Sequence, residues 1–183
     1  ALLFYEFYLS CGVFPPFIFI VSYIFIISSN STSNFLTKDA NSNVKSPTYT
    51  YPCKATYITS NYGYRELYGK QNFHNGIDFG EFQNNYVYSI ASGVIMHAGF
   101  LNGYGNCVTI LHANGYKSLY AHLSEDFLVS SGKHVLQGEI IGKVGPKYLS
   151  NGVLNGYTTG PHLHLTIFDE NSKTINPLLL LNK

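Results

Sequence analysis

Residues 93–123, GVIMHAGFLNGYGNCVTILHANGYKSLYAHL, carry the pattern that decides the fold. Three short runs rich in apolar residues, Gly93–His97, Cys107–Leu111 and Ser118–His122, are parted by Asn102-Gly103 and Asn114-Gly115. Asn-Gly pairs accept the left-handed backbone of a tight reversal, so the runs read as strands joined by turns. Outward from this stretch, Tyr86–Ile90, Ile140–Val144 and His162–Phe168 have the same character. Ser131-Gly132 and Asn151-Gly152 add further turn signals. Residues 49–183 show no long amphipathic helical pattern. The expected domain is mainly antiparallel β.

The 183 residues suit one domain with a real core. Net charge is +1 and only 11% of residues are charged, so no polyelectrolyte partner is implied. Arg65 is the sole arginine, and an arginine-rich nucleic-acid surface is not expected. Tryptophan is absent, while 16 Tyr and 13 Phe supply aromatic bulk. The 17 Gly favour a turn-rich β fold over a helical bundle. Cys11, Cys53 and Cys107 form no CxxC pair, which argues against a thiolate zinc ribbon. Cys53 and Cys107 could pair in an exported domain, but two separate buried thiols are the expectation.

Residues 1–27 are nearly all apolar or aromatic, with Glu6 as the single charge. Pro15-Pro16 interrupts any helix there, and the run from Phe17 to Ile27 is shorter than the ~20 residues of a full span. Two readings stand: an export signal that is cleaved, or an uncleaved anchor that makes the membrane a partner. Either places the chain outside the cytoplasm, in the periplasm or cell envelope, held at the inner membrane if the segment is retained. Residues 28–48 are rich in Ser, Thr and Asn and read as a flexible linker. The globular domain is expected over 49–183.

The chemistry concentrates in three fragments: His74-Asn75-Gly76-Ile77-Asp78, Tyr120-Ala121-His122-Leu123 and Gly160-Pro161-His162-Leu163-His164. Four histidines and one aspartate can supply three metal ligands and two further imidazoles. A catalytic zinc site needs that inventory, with an open position for water and proton-handling groups nearby. His162 and His164 stand two apart on an expected strand, so both face one site. Asn75-Gly76 implies a turn that lets His74 and Asp78 reach one ion. His122 closes an apolar strand and gains meaning only beside the other fragments. No HExxH glutamate is present, so the histidines are the candidate bases.

Order and framing of these fragments resemble the M23 zinc metallopeptidases of the lysostaphin and LytM type. The matching segments are Tyr62-Gly63-Tyr64-Arg65, His74 to Asp78, Gly103-Tyr104-Gly105-Asn106, Tyr120 to Leu123 and Thr159 to His164. The resemblance covers about residues 56–178. It implies antiparallel β-sheets forming a groove, of the duplicated-hybrid-motif kind. It also implies Zn²⁺ held by His74, Asp78 and His164, with His122 and His162 as the catalytic pair. The implied activity is endopeptidase cleavage of peptide cross-links in bacterial peptidoglycan, by zinc-activated water. The competing expectation is a non-catalytic wall-binding regulator or scaffold that activates another hydrolase.

Two departures from the family pattern stand out. Pro146–Thr158 is longer than the usual connection and is expected to border the groove. Leu165-Thr166 follows His164 where members often carry Phe-Glu, which removes an acidic group able to orient a histidine. Arg65 could bind a substrate carboxylate or pin its own loop, the second being favoured. His97 is expected on a strand surface, His112 in a structural position and His134 in solvent.

Overall fold

The computed structural model describes residues 47–55 and 57–182. The readings made for residues 1–27, and nearly all of that for 28–48, lie outside them. Twelve strands follow in order: β1 (Ile58–Ser60), β2 (Gly63–Leu67), β3 (Lys70–His74), β4 (Ile77–Phe79), β5 (Tyr86–Tyr88), β6 (Gly93–Leu101), β7 (Gly105–His112), β8 (Lys117–Ala121), β9 (His134–Val135), β10 (Ile140–Lys143), β11 (Leu163–Phe168) and β12 (Thr174–Ile175). A 3₁₀ turn at Pro177–Leu179 follows, and no α-helix occurs among the described residues. No described helix is long and apolar enough to cross a membrane.

The main sheet runs β1-β4-β11-β8-β7-β6-β9, with β12 also paired to β11. The strands β2 and β3 form a separate ribbon, as do β5 and β10. Every named strand pair is antiparallel, as the sequence predicts. Expected and observed strand ends differ for physical reasons. The β6–β7 ladder continues to Leu101↔Gly105 and closes over Asn102-Gly103, where Gly103 takes φ +84°. The strand β8 stops at Ala121 rather than His122, because His122 itself adopts φ +59° and its N–H turns to the Tyr104 carbonyl at 3.0 Å. The strand β11 starts at Leu163 rather than His162, since Pro161 just before offers no ladder donor.

Alternation along β11 sends Leu163, Leu165 and Ile167 into the main core, with Ile77 and Phe79 of β4, Val108 and Ile110 of β7, and Tyr120 of β8. Each such aliphatic side chain stabilises the fold by roughly 1.5–3 kcal/mol relative to exposure. On the opposite face Cys107, Leu119 and Ala121 form a second small cluster, flanked by Tyr104 and Phe168. The central strands are thus covered on both sides. A one-residue slip would exchange the two faces, so burial fixes the register. That register sets His164 opposite Asp78 of β4 on one side and opposite Ala121 of β8 on the other.

Cys53 and Cys107 are separate buried thiols, and burial pushes both up to about 12. His112 is structural: its ring bridges the Ser92 carbonyl at 3.0 Å and Ser118 Oγ at 2.8 Å. His134 is exposed. His97 is half-buried on β6, and its Nε2 has no hydrogen-bond partner.

Candidate metal centre and active site

Three elements of different origin meet at one point. The ribbon β2–β3 delivers His74 at its end, the bend Asn75-Gly76 turns the chain, and β4 brings Asp78 back beside β11. Gly76 is required by packing rather than by its dihedral angle. A side chain there would run into the Leu165 carbonyl and the His164 ring.

The donor atoms form a closed triangle. His74 Nε2 lies 3.0 Å from His164 Nδ1, His164 Nδ1 lies 2.8 Å from Asp78 Oδ1, and His74 Nε2 lies 3.2 Å from Asp78 Oδ1. A tetrahedral ion with bonds of about 2.0–2.1 Å separates its ligand atoms by about 3.3 Å. These three residues are the group among the described residues whose ligand atoms converge as a metal would require.

Proton positions point the same way. His74 Nδ1 lies 2.8 Å from the Asn61 carbonyl, which can only accept, so the Nδ1 proton is committed there and Nε2 offers a lone pair. His122 Nδ1 meets the Asn155 carbonyl at 2.7 Å, and His162 Nδ1 meets the Gly160 carbonyl at 2.9 Å. In both rings Nε2 is therefore the atom left for other chemistry. The His122 and His162 ring centroids are 4.7 Å apart, and His162 Nε2 is 3.7 Å from Asp78 Oδ1. His164 Nε2 faces the Thr166 hydroxyl at 2.8 Å. The group expected from the sequence to be lost at position 166 is thus replaced by a shorter hydroxyl.

Electrostatics favour neutral rings around an ionised carboxylate. Burial pushes His122 down to about 3, aided by the neighbouring His162, against an opposing hydrogen bond to Asn155. Burial likewise lowers His164. For Asp78 burial acts upward, but the hydrogen bond from His164 and the neighbouring imidazoles outweigh it and hold the carboxyl well below the usual carboxylate range. Neutral imidazoles and an ionised carboxylate are the protonation states that bind a dication.

Arg65, expected to pin its own loop, reaches further. Its guanidinium donates to Ser60 Oγ, and Nη1 lies 3.6 Å from Asp78 Oδ2. It sits behind the oxygen that the triangle does not use. Two open recesses of about 610 and 1010 Å³ share Arg65, Leu67, Asp78, Tyr157 and His162 as lining. The segment 146–158 borders both through Tyr157, and the larger one also through Leu154 and Thr158.

The sequence reading did not find three contributors. Asn155 is fully buried; its side chain accepts from Asn106 N–H at 2.9 Å and donates to the Leu123 carbonyl at 3.0 Å, while its own carbonyl orients His122. Tyr104 accepts from Asn75 Nδ2 at 2.6 Å and lines the smaller recess. The ribbon β2–β3, which walls the cleft with Arg65, Leu67, Asn72 and Phe73, was not read as strand at all.

Comparison with known proteins agrees with this geometry. The model for peptidase family M23 matches residues 72–177. The chain is 41% identical over 129 residues to the DD-carboxypeptidase/endopeptidase Mpg of Neisseria meningitidis, covering 69% of this chain and 27% of Mpg. It is 33% identical over 110 residues to the peptidoglycan DD-endopeptidase ShyC of Vibrio cholerae, covering 58% of this chain and 23% of ShyC. The chain therefore spans about a quarter of the length of these curated relatives. Among solved structures, the catalytic domain of lysostaphin from Staphylococcus simulans superposes with a TM-score of 0.58 at 32% identity, over 67% of this chain and 90% of that domain. With its sheet, its donor triangle and this likeness in agreement, the chain belongs to peptidase family M23.

Proposed function

We propose that this chain is a zinc-dependent endopeptidase that hydrolyses peptide cross-links of bacterial peptidoglycan. The observation that carries the reading is the triangle of His74 Nε2, Asp78 Oδ1 and His164 Nδ1, with edges of 2.8–3.2 Å. Relatives named as peptidoglycan endopeptidases support the substrate class.

In this reading His74, Asp78 and His164 hold zinc, which supplies a Lewis acid for the scissile carbonyl and lowers the pKa of water to about 7. His122 and His162 manage protons. Each has its Nδ1 proton tied to a carbonyl and an unprotonated Nε2 for the reaction. A neutral imidazole in that state can accept a proton from the attacking water and return it to the leaving amine. Both rings are held at Nδ1 by backbone carbonyls, and His162 also faces the Asp78 carboxylate at 3.7 Å. Asp78 supplies the negative charge that favours a dication, and Arg65 restrains its second oxygen. Leu67 and Tyr157 line both recesses, where an extended peptide would lie. The place of action follows from the substrate: an exported protein of the periplasm or cell envelope, with residues 1–27 as signal or inner-membrane anchor.

Metal analysis and a muropeptide digest test the reading. The purified chain is expected to carry stoichiometric zinc and to cut cross-linked muropeptides, and His164→Ala to do neither. A chain without stoichiometric zinc, or equal digestion by wild type and His164→Ala, would overturn it and leave a wall-binding regulator as the better description.

A further inference from the structure

Arg65 is the sole arginine of the chain, and it lines both recesses beside the donor triangle. The ribbon that carries it is paired along its backbone from Gly63↔His74 to Leu67↔Lys70, so the ribbon keeps its shape without this side chain. The guanidinium is held on two sides. Nη1 donates to Ser60 Oγ of β1, and Nε donates to Asn72 Oδ1 of β3 at 3.4 Å. Asp78 Oδ2 faces Nη1 at 3.6 Å, too far for a hydrogen bond. Nη2 carries two more N–H groups, and these have no acceptor among the described residues. The side chain is 30% exposed. A guanidinium anchored at Nε and Nη1, with Nη2 unspent toward solvent, is a preorganised donor for a carboxylate.

The surrounding charges say where that carboxylate lies. In the smaller recess Asp78 is the only acid, and it belongs to the triangle, where a dication would offset it. The larger recess also carries Glu66, which is exposed, and Glu81, which is buried and spent on the Ala55 and Phe82 N–H groups and on Asn85 Nδ2. An anion is therefore favoured on the side of the smaller recess. Asp78 Oδ1 faces the triangle while Oδ2 faces Arg65, so the guanidinium stands one carboxylate group away from the metal donors. In a peptide, the carboxyl of the residue that supplies the leaving nitrogen follows the scissile carbonyl by one residue, about 3.3–3.6 Å of extended chain. We propose that Arg65 determines specificity by binding a free carboxylate on the carbon that bears the leaving nitrogen, a proposal that rests on the endopeptidase reading above. The preferred cross-links are then direct ones, in which the amine set free belongs to an amino-acid centre whose own carboxyl is unsubstituted. Glycine bridges lack that group, because each carboxyl is tied up in the next amide.

The test uses the zinc-loaded full chain and three probes. The first is a cross-linked muropeptide dimer with the carboxyl beside the leaving nitrogen free. The second is the same dimer with that carboxyl as its amide, and the third is pentaglycine. Wild type should favour the acid over the amide about 10–100-fold in kcat/KM, the range of a hydrogen bond to a charged group, and should leave pentaglycine uncut. Equal rates on acid and amide, or pentaglycine cut at least as fast as the acid, would overturn the inference. Arg65→Lys keeps a cation beside Asp78 but loses the planar fork, and it should lower the acid preference at least about threefold. The preference is a ratio within one protein, so a general loss of activity cancels. If Arg65 only braces Asp78, both dimers slow together and the preference survives, which would also overturn the inference. The wild-type comparison needs no variant and stands even if Arg65→Lys fails to fold. A wild type that cuts none of the three probes would overturn the endopeptidase reading and this inference with it.

Discussion

The strands β4, β8 and β11 and the ribbon β2–β3 border the same cleft yet are built on opposite terms. The first three are covered on both faces and carry or adjoin Asp78, His122 and His164. The ribbon is mostly exposed, with Tyr64 76% and Tyr68 83% accessible, and contributes walls and one ligand, His74, at its buried end. Distances near 3 Å have to be kept where the ion would sit, and a packed core keeps them. A rim has to admit a substrate, and exposed side chains on a two-stranded ribbon can vary without disturbing the core. Chemistry and selection are thus separated by depth.

The largest break of this contrast is expected at the triangle. His164→Ala should abolish both stoichiometric zinc and muropeptide cleavage, whereas Arg65→Lys on the ribbon should keep zinc. Next comes the histidine pair. His162→Ala should lower kcat by about 10²–10⁴-fold with zinc content unchanged, which single-turnover kinetics and metal analysis can read together. Loss of zinc with His162→Ala would move that residue into the ligand set.

Stability separates the two regions as well. Leu165→Ala removes a fully buried side chain and should cost about 2–5 kcal/mol in urea unfolding. Tyr157→Ala, at 83% exposure on the rim, should stay within about 0.5 kcal/mol while raising KM. Equal losses would mean that the rim is part of the core.

Acidification gives an independent test. His122 is held down to about 3 by burial, and His112 is lowered by burial too. Below the ordinary histidine value near 6.5 the unfolded chain takes up protons that the native rings refuse. Unfolding free energy should therefore fall on acidification from about pH 6.5 toward 3, by at most about 1.4 kcal/mol per unit for each ring. The Asp78 contribution, with its carboxyl held low, stays full down to about pH 4 and declines below that. A urea midpoint that rises between pH 7 and pH 5 would contradict the buried neutral histidines.

The same depth contrast explains what could be read beforehand. Alternation and Asn-Gly turns announced β6, β7 and β8, because a half-buried strand writes its faces into its sequence. The ribbon from Gly63 to His74 carries no such record: its residues are mostly exposed, so its pairing left no apolar period to detect. The His74, Asp78 and His164 set was recoverable from spacing and framing. Asn155 was not, because its part depends on a backbone carbonyl that lies 33 residues along the chain from His122. The left-handed backbone at His122 was equally invisible, since a histidine gives no sign of it.

X-ray absorption at the zinc edge of the zinc-loaded full chain tests the central claim most directly. The account predicts four-coordinate zinc with nitrogen and oxygen neighbours at about 2.0–2.1 Å, two of them imidazoles, and loss of that spectrum in His164→Ala. Sulfur neighbours near 2.3 Å, or an unchanged spectrum in the variant, would contradict it.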